Sequence, residues 1–130
     1  MKQKFRAWHK TWEEMGKVKR IRFDDEGNVT TVLFEGKILG VDTHADEIEL
    51  MQSTGLFDKT NTEIFEGDIV DYKGRKAVIK WHGLYASFIY RFVDELKERV
   101  SEWHPLFLAY YHFEVIGNIY ENKNLLEVEE

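Results

Sequence analysis

Alternation of apolar and polar residues dominates the first part of the chain and predicts β-strands. Residues 2–8 alternate basic and apolar side chains, which places Phe5 and Ala7 on the inward face of a half-buried strand. Further strand-like runs cover 17–23, 29–34 and 46–52. The Gly- and Asn-containing linker 24–28 has the length that closes a hairpin. The pattern therefore predicts a small N-terminal β lobe over residues 1–52.

The second part of the chain, residues 53–130, begins with a long turn-rich segment and continues with further strand patterns. Gly67 permits a turn with positive φ, Asp68 can accept backbone N–H bonds, and a strand begins directly after them. Further strand-like runs cover 76–82, 106–113 and 114–120. Gly117 is expected to be a bulge or a close backbone approach. Short strands that meet at tight turns after a meandering loop are typical of small SH3-like barrels.

Residues 84–103 change period and predict one amphipathic helix inserted in this second lobe. Their apolar side chains fall three and four residues apart, and Gly83 and Pro105 bracket the segment. Taken alone, residues 84–93 also fit a strand that is buried on both faces. The predicted fold class is mainly β (α+β), with the N-terminal β lobe followed by an SH3-like barrel lobe. Because neither lobe can bury much apolar area alone, we expect a shared core and effectively one domain.

Composition narrows the class of protein. The chain has 130 residues, 43% of them hydrophobic, with one proline and no cysteine. It can bury a core, and the lack of cysteine excludes a disulfide framework, a thiol nucleophile and cysteine-based metal sites. No apolar run is long enough to span a membrane, and we expect no signal segment at the start of the chain. We expect a cytoplasmic protein in a reducing compartment.

Charge is strongly segregated along the chain, although the net charge is only −6. Residues 1–22 carry eight basic and two acidic side chains, whereas residues 23–72 carry 13 acidic and two basic ones. Oppositely charged strands can neutralise each other within one chain, and this is the interpretation we favour. The alternative is a basic face for an acidic partner, with these candidate binding residues: Lys4, Arg6, Trp8, Lys19, Arg20 and Arg22.

Catalytic chemistry has no positive signal in the sequence. The five histidines show no i,i+4 pair, and the best metal candidate, residues 42–46, is better explained as a solvated polar turn. There is no Gly-rich phosphate loop and no nucleophile elbow. Aromatic residues make up 15% of the chain and concentrate between Trp81 and Phe113. Base stacking on exposed rings is one interpretation, but a buried core is the one we favour. We expect no enzyme activity, no metal and no cofactor.

Three stretches of the chain together resemble the YopX family of phage and prophage proteins. They are 4–8, 50–59 running into 63–70, and 113–122 with Leu125 and Leu126. The resemblance spans nearly the whole chain. It implies an SH3-like barrel in the C-terminal part, a bacteriophage or prophage origin, residence in the bacterial cytoplasm and no known enzymatic role.

The motif residues of these stretches are interpreted as structural, because most are residue types that make turns. They are Gly55, Asp58, Glu66, Gly67, Asp68, Gly117, Asn118, Tyr120 and Asn122. The predicted function is a non-catalytic protein–protein interaction module that forms a homo-oligomer, with a phage or host protein as a further partner and no membrane contact. One alternative is a nucleic-acid-binding accessory protein that uses the basic N-terminal segment. An enzyme of undefined activity is the most remote alternative.

Overall fold

Antiparallel β-sheets, joined by turns and short 3-10 helices, make up the fold. The computed structural model describes residues 4–36, 40–96 and 103–127, and within these residues there is no α-helix. The chain divides into two compact units, Met1–Gln52 and Ser53–Glu130. The prediction of a mainly β fold is confirmed. In the described part of the chain, no helix is long and apolar enough to cross a membrane.

Five strands build the sheet of the N-terminal unit. In chain order they are β1 Phe5–His9, β2 Glu14–Phe23, β3 Val29–Glu35, β4 Val41–His44 and β5 Ile48–Phe57. Their order in the sheet is β4-β3-β2-β1-β5, and each neighbouring pair is antiparallel. A 3-10 turn, Ala45–Glu47, leads into β5, and the last residues of β5 belong to the second unit.

The hairpin predicted between β2 and β3 is confirmed. Asp24 closes its loop, because Asp24 Oδ1 accepts hydrogen bonds from the backbone N–H groups of Glu26 and Asn28, both at 2.9 Å. This contact is an Asx-type turn, in which a carboxylate takes the place of a backbone acceptor. Four residues spaced along the surrounding strands form the core of the unit: Ala7, Val32, Phe34 and Ile48. The inward position of Ala7 is confirmed, and Phe5 is half-buried.

The C-terminal unit contains six further strands. They are β6 Glu63–Phe65, β7 Asp68–Tyr72, β8 Arg75–His82, β9 Ser87–Phe92, β10 His104–Pro105 and β11 Glu114–Asn118. Five of them form an antiparallel sheet in the order β10-β9-β8-β7-β11. β6 pairs with the end of β5 at Ser53 and Phe57. The start of the predicted turn-rich segment is therefore a strand.

The expected closed SH3-like barrel is wrong, because this sheet is open. Its edge strands are β10 and β11, and they do not pair with each other within the described residues. The segment between them does not form the strand expected over 106–113. It folds as two 3-10 turns, Leu106–Leu108 and Tyr110–His112. A 3-10 turn satisfies its backbone groups locally and offers no ladder to a neighbouring strand, so the edges stay apart.

The helix predicted over 84–103 is also wrong in its described part. β9 occupies the middle of the segment and pairs with β8 along its length, and a 3-10 turn at Val93–Glu95 follows. Ile89 and Tyr90, which point to opposite faces of β9, are 4% and 9% exposed. A strand with two buried faces is a nearly continuous apolar run, and such a run also satisfies helical spacing. Residues 97–102 lie outside the described part of the chain.

The main core of the C-terminal unit lies on one face of its sheet. Phe113, which is fully buried, has its ring centroid 4.9 Å from that of Tyr90 and 5.4 Å from that of Tyr72, both in edge-to-face geometry. Apolar residues from several strands pack around these rings: Ile64, Val70, Ile79, Phe92 and Leu106. A smaller cluster of Ile69, Val78 and Val93 forms separately.

Candidate functional site

Asp58 organises the loop between β5 and β6. Its Oδ1 accepts hydrogen bonds from the Thr60 N–H at 2.9 Å, the Thr60 hydroxyl at 2.8 Å and the Thr62 N–H at 2.8 Å. Its Oδ2 accepts the N–H of Val115, at the start of β11, at 2.8 Å. Asp58 is 5% exposed, so these four bonds replace the water that a carboxylate normally binds.

The ionisation of Asp58 reflects two opposing effects. Burial raises the pKa of the Asp58 carboxyl, but the hydrogen bonds from Val115, Thr62 and Thr60 outweigh burial and hold the pKa below its usual range. The charged form is therefore the one that the folded loop stabilises. A carboxylate committed in this way to four internal donors stabilises the loop and is not placed to act on a substrate.

A second polar corner is formed where β6 turns into β7. Gly67 has the positive φ that the sequence predicts, 87°, and its N–H donates to the carbonyl oxygen of Ile79 at 2.8 Å. Asp68 is 1% exposed, and its Oδ2 accepts the Phe65 N–H at 2.7 Å. Glu66, which lies between Phe65 and Gly67 in the chain, is half-buried. At this sharp turn the Asp68 carboxylate, like that of Asp58, takes the place of a backbone acceptor.

The third corner follows β11. Asn118 Oδ1 accepts the N–H groups of Tyr120 at 3.0 Å and Glu121 at 2.8 Å, while the Asn118 N–H donates to Asn122 Oδ1 at 3.1 Å. The predicted bulge is present, since the register of β11 shifts before Gly117. A Cβ at Gly117 would clash with the Asn122 amide, so the predicted close approach is also present.

Backbone contacts connect these motif stretches, although they are far apart in the chain. The Ile119 N–H donates to the carbonyl oxygen of Gly67 at 2.9 Å, and the bond between Asp58 and Val115 joins the first loop to β11. Gly55 has a φ of 75° within β5 and donates its N–H to the Ser53 hydroxyl at 3.1 Å. In each of these contacts, polar atoms of the motif stretches form hydrogen bonds with other residues of the C-terminal unit.

The basic residues predicted as a binding face lie on β2 and β1. Lys19 Nζ is 3.7 Å from Glu35 Oε2, and Arg20 makes two hydrogen bonds to the Asp42 carboxylate, at 2.9 and 3.1 Å. Arg22 is exposed on the same strand. The other candidates belong to the first strand and the residue before it: Lys4, Arg6 and Trp8. Partners in β3 and β4 therefore neutralise two of the six candidates inside the N-terminal unit, which lowers the positive potential available to phosphates.

No group of three or more His, Asp or Glu side chains in the described part of the chain has the geometry to hold a metal ion. Asp42, from the weak metal candidate, is paired with Arg20 instead. His9 is 3% exposed, its Nδ1 accepts the Trp12 N–H at 3.0 Å, and its ring stacks on Trp12 at 3.9 Å. Sequence reasoning gave His9 no role, because a single histidine at the end of a strand carries no distinctive pattern.

Exposed aromatic side chains form a surface feature that the favoured interpretation of the sequence, a buried core, did not predict. Trp103, directly before β10, meets the β8–β9 hairpin, where the rings of His82, Tyr85 and Trp103 have centroids 4.8, 4.9 and 5.0 Å apart. Tyr85 is 64% exposed and Trp103 is 38% exposed. Assigning residues 84–103 to a helix with an inward apolar stripe placed Tyr85 and Trp103 in a core. We name this group, His82, Tyr85 and Trp103, the ring cluster.

A second apolar group lies on the 3-10 segment after β10. Leu106 is fully buried, while its neighbours Phe107 and Leu108 are 60% and 61% exposed and Tyr111 is 55% exposed. The buried Leu106 fixes the segment to the core, so its neighbours are presented to solvent. We name this group, Phe107, Leu108 and Tyr111, the apolar ridge.

Comparison with known proteins places these features in a family. The crystal structure of protein EF1440 from Enterococcus faecalis is similar to this chain, with a TM-score of 0.69 and 30% sequence identity over 98% of this chain and 99% of that one. No curated protein shows significant similarity to the chain. The family model described as YopX protein matches residues 4–127, nearly the whole chain, and the chain therefore belongs to the YopX family.

Proposed function

We propose that the protein is a non-catalytic interaction module that associates with a second copy of itself through the apolar ridge. The observation that carries this proposal is the exposure of Phe107, Leu108 and Tyr111, three large apolar side chains within five residues. Single exposed apolar residues are normal on a monomer, whereas several large ones in one short segment favour an interaction surface. Burying such side chains contributes about 25 cal/mol for each Å² removed from water.

A second copy is the partner that best fits this surface. An apolar patch is complementary to itself, so two copies can pair their ridges about a two-fold axis without any further matching of charge. The alternative of a basic face for an acidic partner loses support, because Lys19 and Arg20 already have acidic partners within the same chain. The phage or prophage origin and the bacterial cytoplasm remain part of the proposal and rest on the family resemblance. The shared core of the two units likewise stays a prediction.

Light scattering coupled to size exclusion, over a dilution series of the full chain, tests the proposal. We expect a concentration-dependent species above the 15.5 kDa of the monomer. Phe107→Asp should weaken association at least ten-fold. Phe23→Asp is the matched control, because Phe23 and Phe107 are both 60% exposed and Phe23 lies in the other unit. A monomer at every concentration would overturn the proposal, and so would equal effects of the two variants.

A further inference from the structure

The ring cluster has a different chemistry from the apolar ridge, because cationic side chains lie beside it. In the pairing of β8 with β9, Lys80 lies opposite Ile89 and Val78 lies opposite Arg91. Alternate residues of a strand share a face, and so do paired residues, so Lys80 and Arg91 lie on the face of the sheet that carries His82. His82, one member of the ring cluster, therefore shares a face of the sheet with two cationic side chains.

Two like charges are held close together on this surface. Burial lowers the pKa of the Lys80 ammonium, and the positive charge of Arg91 lowers it further. Within residues 4–36, 40–96 and 103–127, no carboxylate forms an ion pair with Lys80. An anion bound at Lys80 would stabilise the charged form of its ammonium, whereas a neutral or cationic ligand would not.

The rings are arranged so that flat ligands can reach them. Tyr85 lies in the turn between β8 and β9 and is 64% exposed, while its ring is tilted by 41° against that of Trp103. Mutual contact with Trp103 and His82 already restricts the Tyr85 side chain, so a ligand that stacks on it loses less conformational freedom on binding. Exposed, pre-ordered rings beside cations are the arrangement on which unpaired bases stack while phosphates meet the cations.

We propose that the ring cluster, together with Lys80, binds single-stranded nucleic acid. Bases stack on Tyr85 and Trp103, and the adjacent phosphate is held by Lys80. Duplex is excluded as the main ligand, because its bases are already stacked on each other and present no free faces to the rings. The net charge of the chain is −6, so we expect few phosphate contacts and a shallow dependence of affinity on salt. This site shares no residue with the apolar ridge of the proposed self-association.

Fluorescence anisotropy of a labelled single-stranded oligothymidine, titrated with the full chain at low salt, tests this site. Tyr85→Ala should weaken binding roughly ten-fold, since it removes one stacking surface. Tyr111→Ala is the matched control: Tyr111 is 55% exposed, belongs to the apolar ridge and should leave oligonucleotide affinity unchanged. Circular dichroism confirms that both variants fold. If Tyr111→Ala lowers association while Tyr85→Ala lowers oligonucleotide binding, the two sites are independent.

The salt dependence gives a second test of the same site. Lys80→Gln should reduce the slope of log affinity against log salt by about 0.7, the value for one phosphate contact on a single strand. Lys73→Gln, in the β7–β8 turn, should leave the slope unchanged. Absence of oligonucleotide binding at low salt would overturn the proposal, as expected if the surface binds a protein instead. Equal affinity for duplex, or equal losses in Tyr85→Ala and Tyr111→Ala, would overturn it too.

Discussion

The two units of the chain are stabilised in different ways. In the N-terminal unit, long antiparallel strands pair and their charged side chains meet at the surface, as Arg20 and Asp42 do with 46% and 41% of their side chains exposed. In the C-terminal unit, buried polar side chains hold the loops, and Asp58, Asp68 and Asn118 are each at most 7% exposed. Exposed ion pairs contribute little to stability, whereas a buried carboxylate with satisfied hydrogen bonds is costly to disturb.

This difference shows why the most distinctive motif residues fall in the C-terminal unit. A sheet made of long strands tolerates many residues at its exposed positions, because the backbone makes the ladder bonds. A loop held by one carboxylate requires that residue at that position, since an aliphatic side chain would leave several buried N–H groups unpaired. Substitutions should therefore lower the free energy of unfolding more at the polar corners of the C-terminal unit than at the surface of the N-terminal unit.

The largest effect is expected in the C-terminal core. Phe113→Ala removes a fully buried ring that contacts Tyr72 and Tyr90, and it should lower the free energy of unfolding by about 3–5 kcal/mol. Phe34→Ala, in the smaller N-terminal core, is the comparison variant and should cost less. Denaturant unfolding followed by tryptophan fluorescence measures both. A larger loss of unfolding free energy for Phe34→Ala would show that the N-terminal unit depends on its core more than the small size of that core suggests.

An intermediate effect is expected at Asp58. Asp58→Asn replaces one acceptor oxygen by an NH₂ group and leaves a buried N–H, that of Val115 or of the Thr60–Thr62 turn, without a partner. The free energy of unfolding should fall by about 1–3 kcal/mol. Asp24→Asn, at the exposed hairpin loop of the first unit, is the control and should have a smaller effect. Equal losses at the two positions would contradict the distinction between buried corners and exposed turns.

The same carboxylate makes stability depend on pH in a defined direction. The pKa of Asp58 is lower in the folded protein than its ordinary value, so its contribution is complete above about pH 4 and is lost as the pH falls through the folded pKa. Acid titration of the unfolding free energy should therefore show a steeper decline for the unaltered chain than for Asp58→Asn. Parallel acid curves for the two proteins would argue against this assignment.

The smallest effect is expected at the surface of the N-terminal unit. A double-mutant cycle on Arg20 and Asp42 should give a coupling free energy of about 0.2–1 kcal/mol, because both side chains are nearly half exposed. The coupling should vanish near 1 M salt, where the screening length is about 3 Å. Thermal or denaturant unfolding at two salt concentrations measures it. A coupling above that range which survives high salt would mean that this surface resembles the buried corners after all.

Local features were predictable from the sequence. The loop at 24–28, the positive φ of Gly67 and the bulge at Gly117 each depend on residues a few positions apart, and the chemistry of those residues restricts the backbone directly. The mainly β character followed in the same way from alternation along the strands. The candidate loop residues were identified as turn-forming types, but their long-range partners, such as Val115 for Asp58, were not visible in any local pattern.

Tertiary structure decided the features that depend on which surfaces meet. The spacing of apolar residues in 84–103 fits a helix and a doubly buried strand alike, and the pairing of β8 with β9 selects the strand. The open sheet follows from the local 3-10 bonding of the segment before β11, which alternation alone does not distinguish from a strand. The spacing of apolar residues indicates which positions are buried, but it does not indicate which part of the protein buries them.

The sequence by itself determined the local turns, the strand-rich composition and the family. Only the tertiary structure decided that Lys19 and Arg20 meet carboxylates of neighbouring strands and that Tyr85 and Trp103 meet at the surface. The physical reason is the range of the interactions. Backbone conformation is governed by neighbours in the chain, whereas charge neutralisation and ring exposure depend on strand pairing between residues that are distant in sequence.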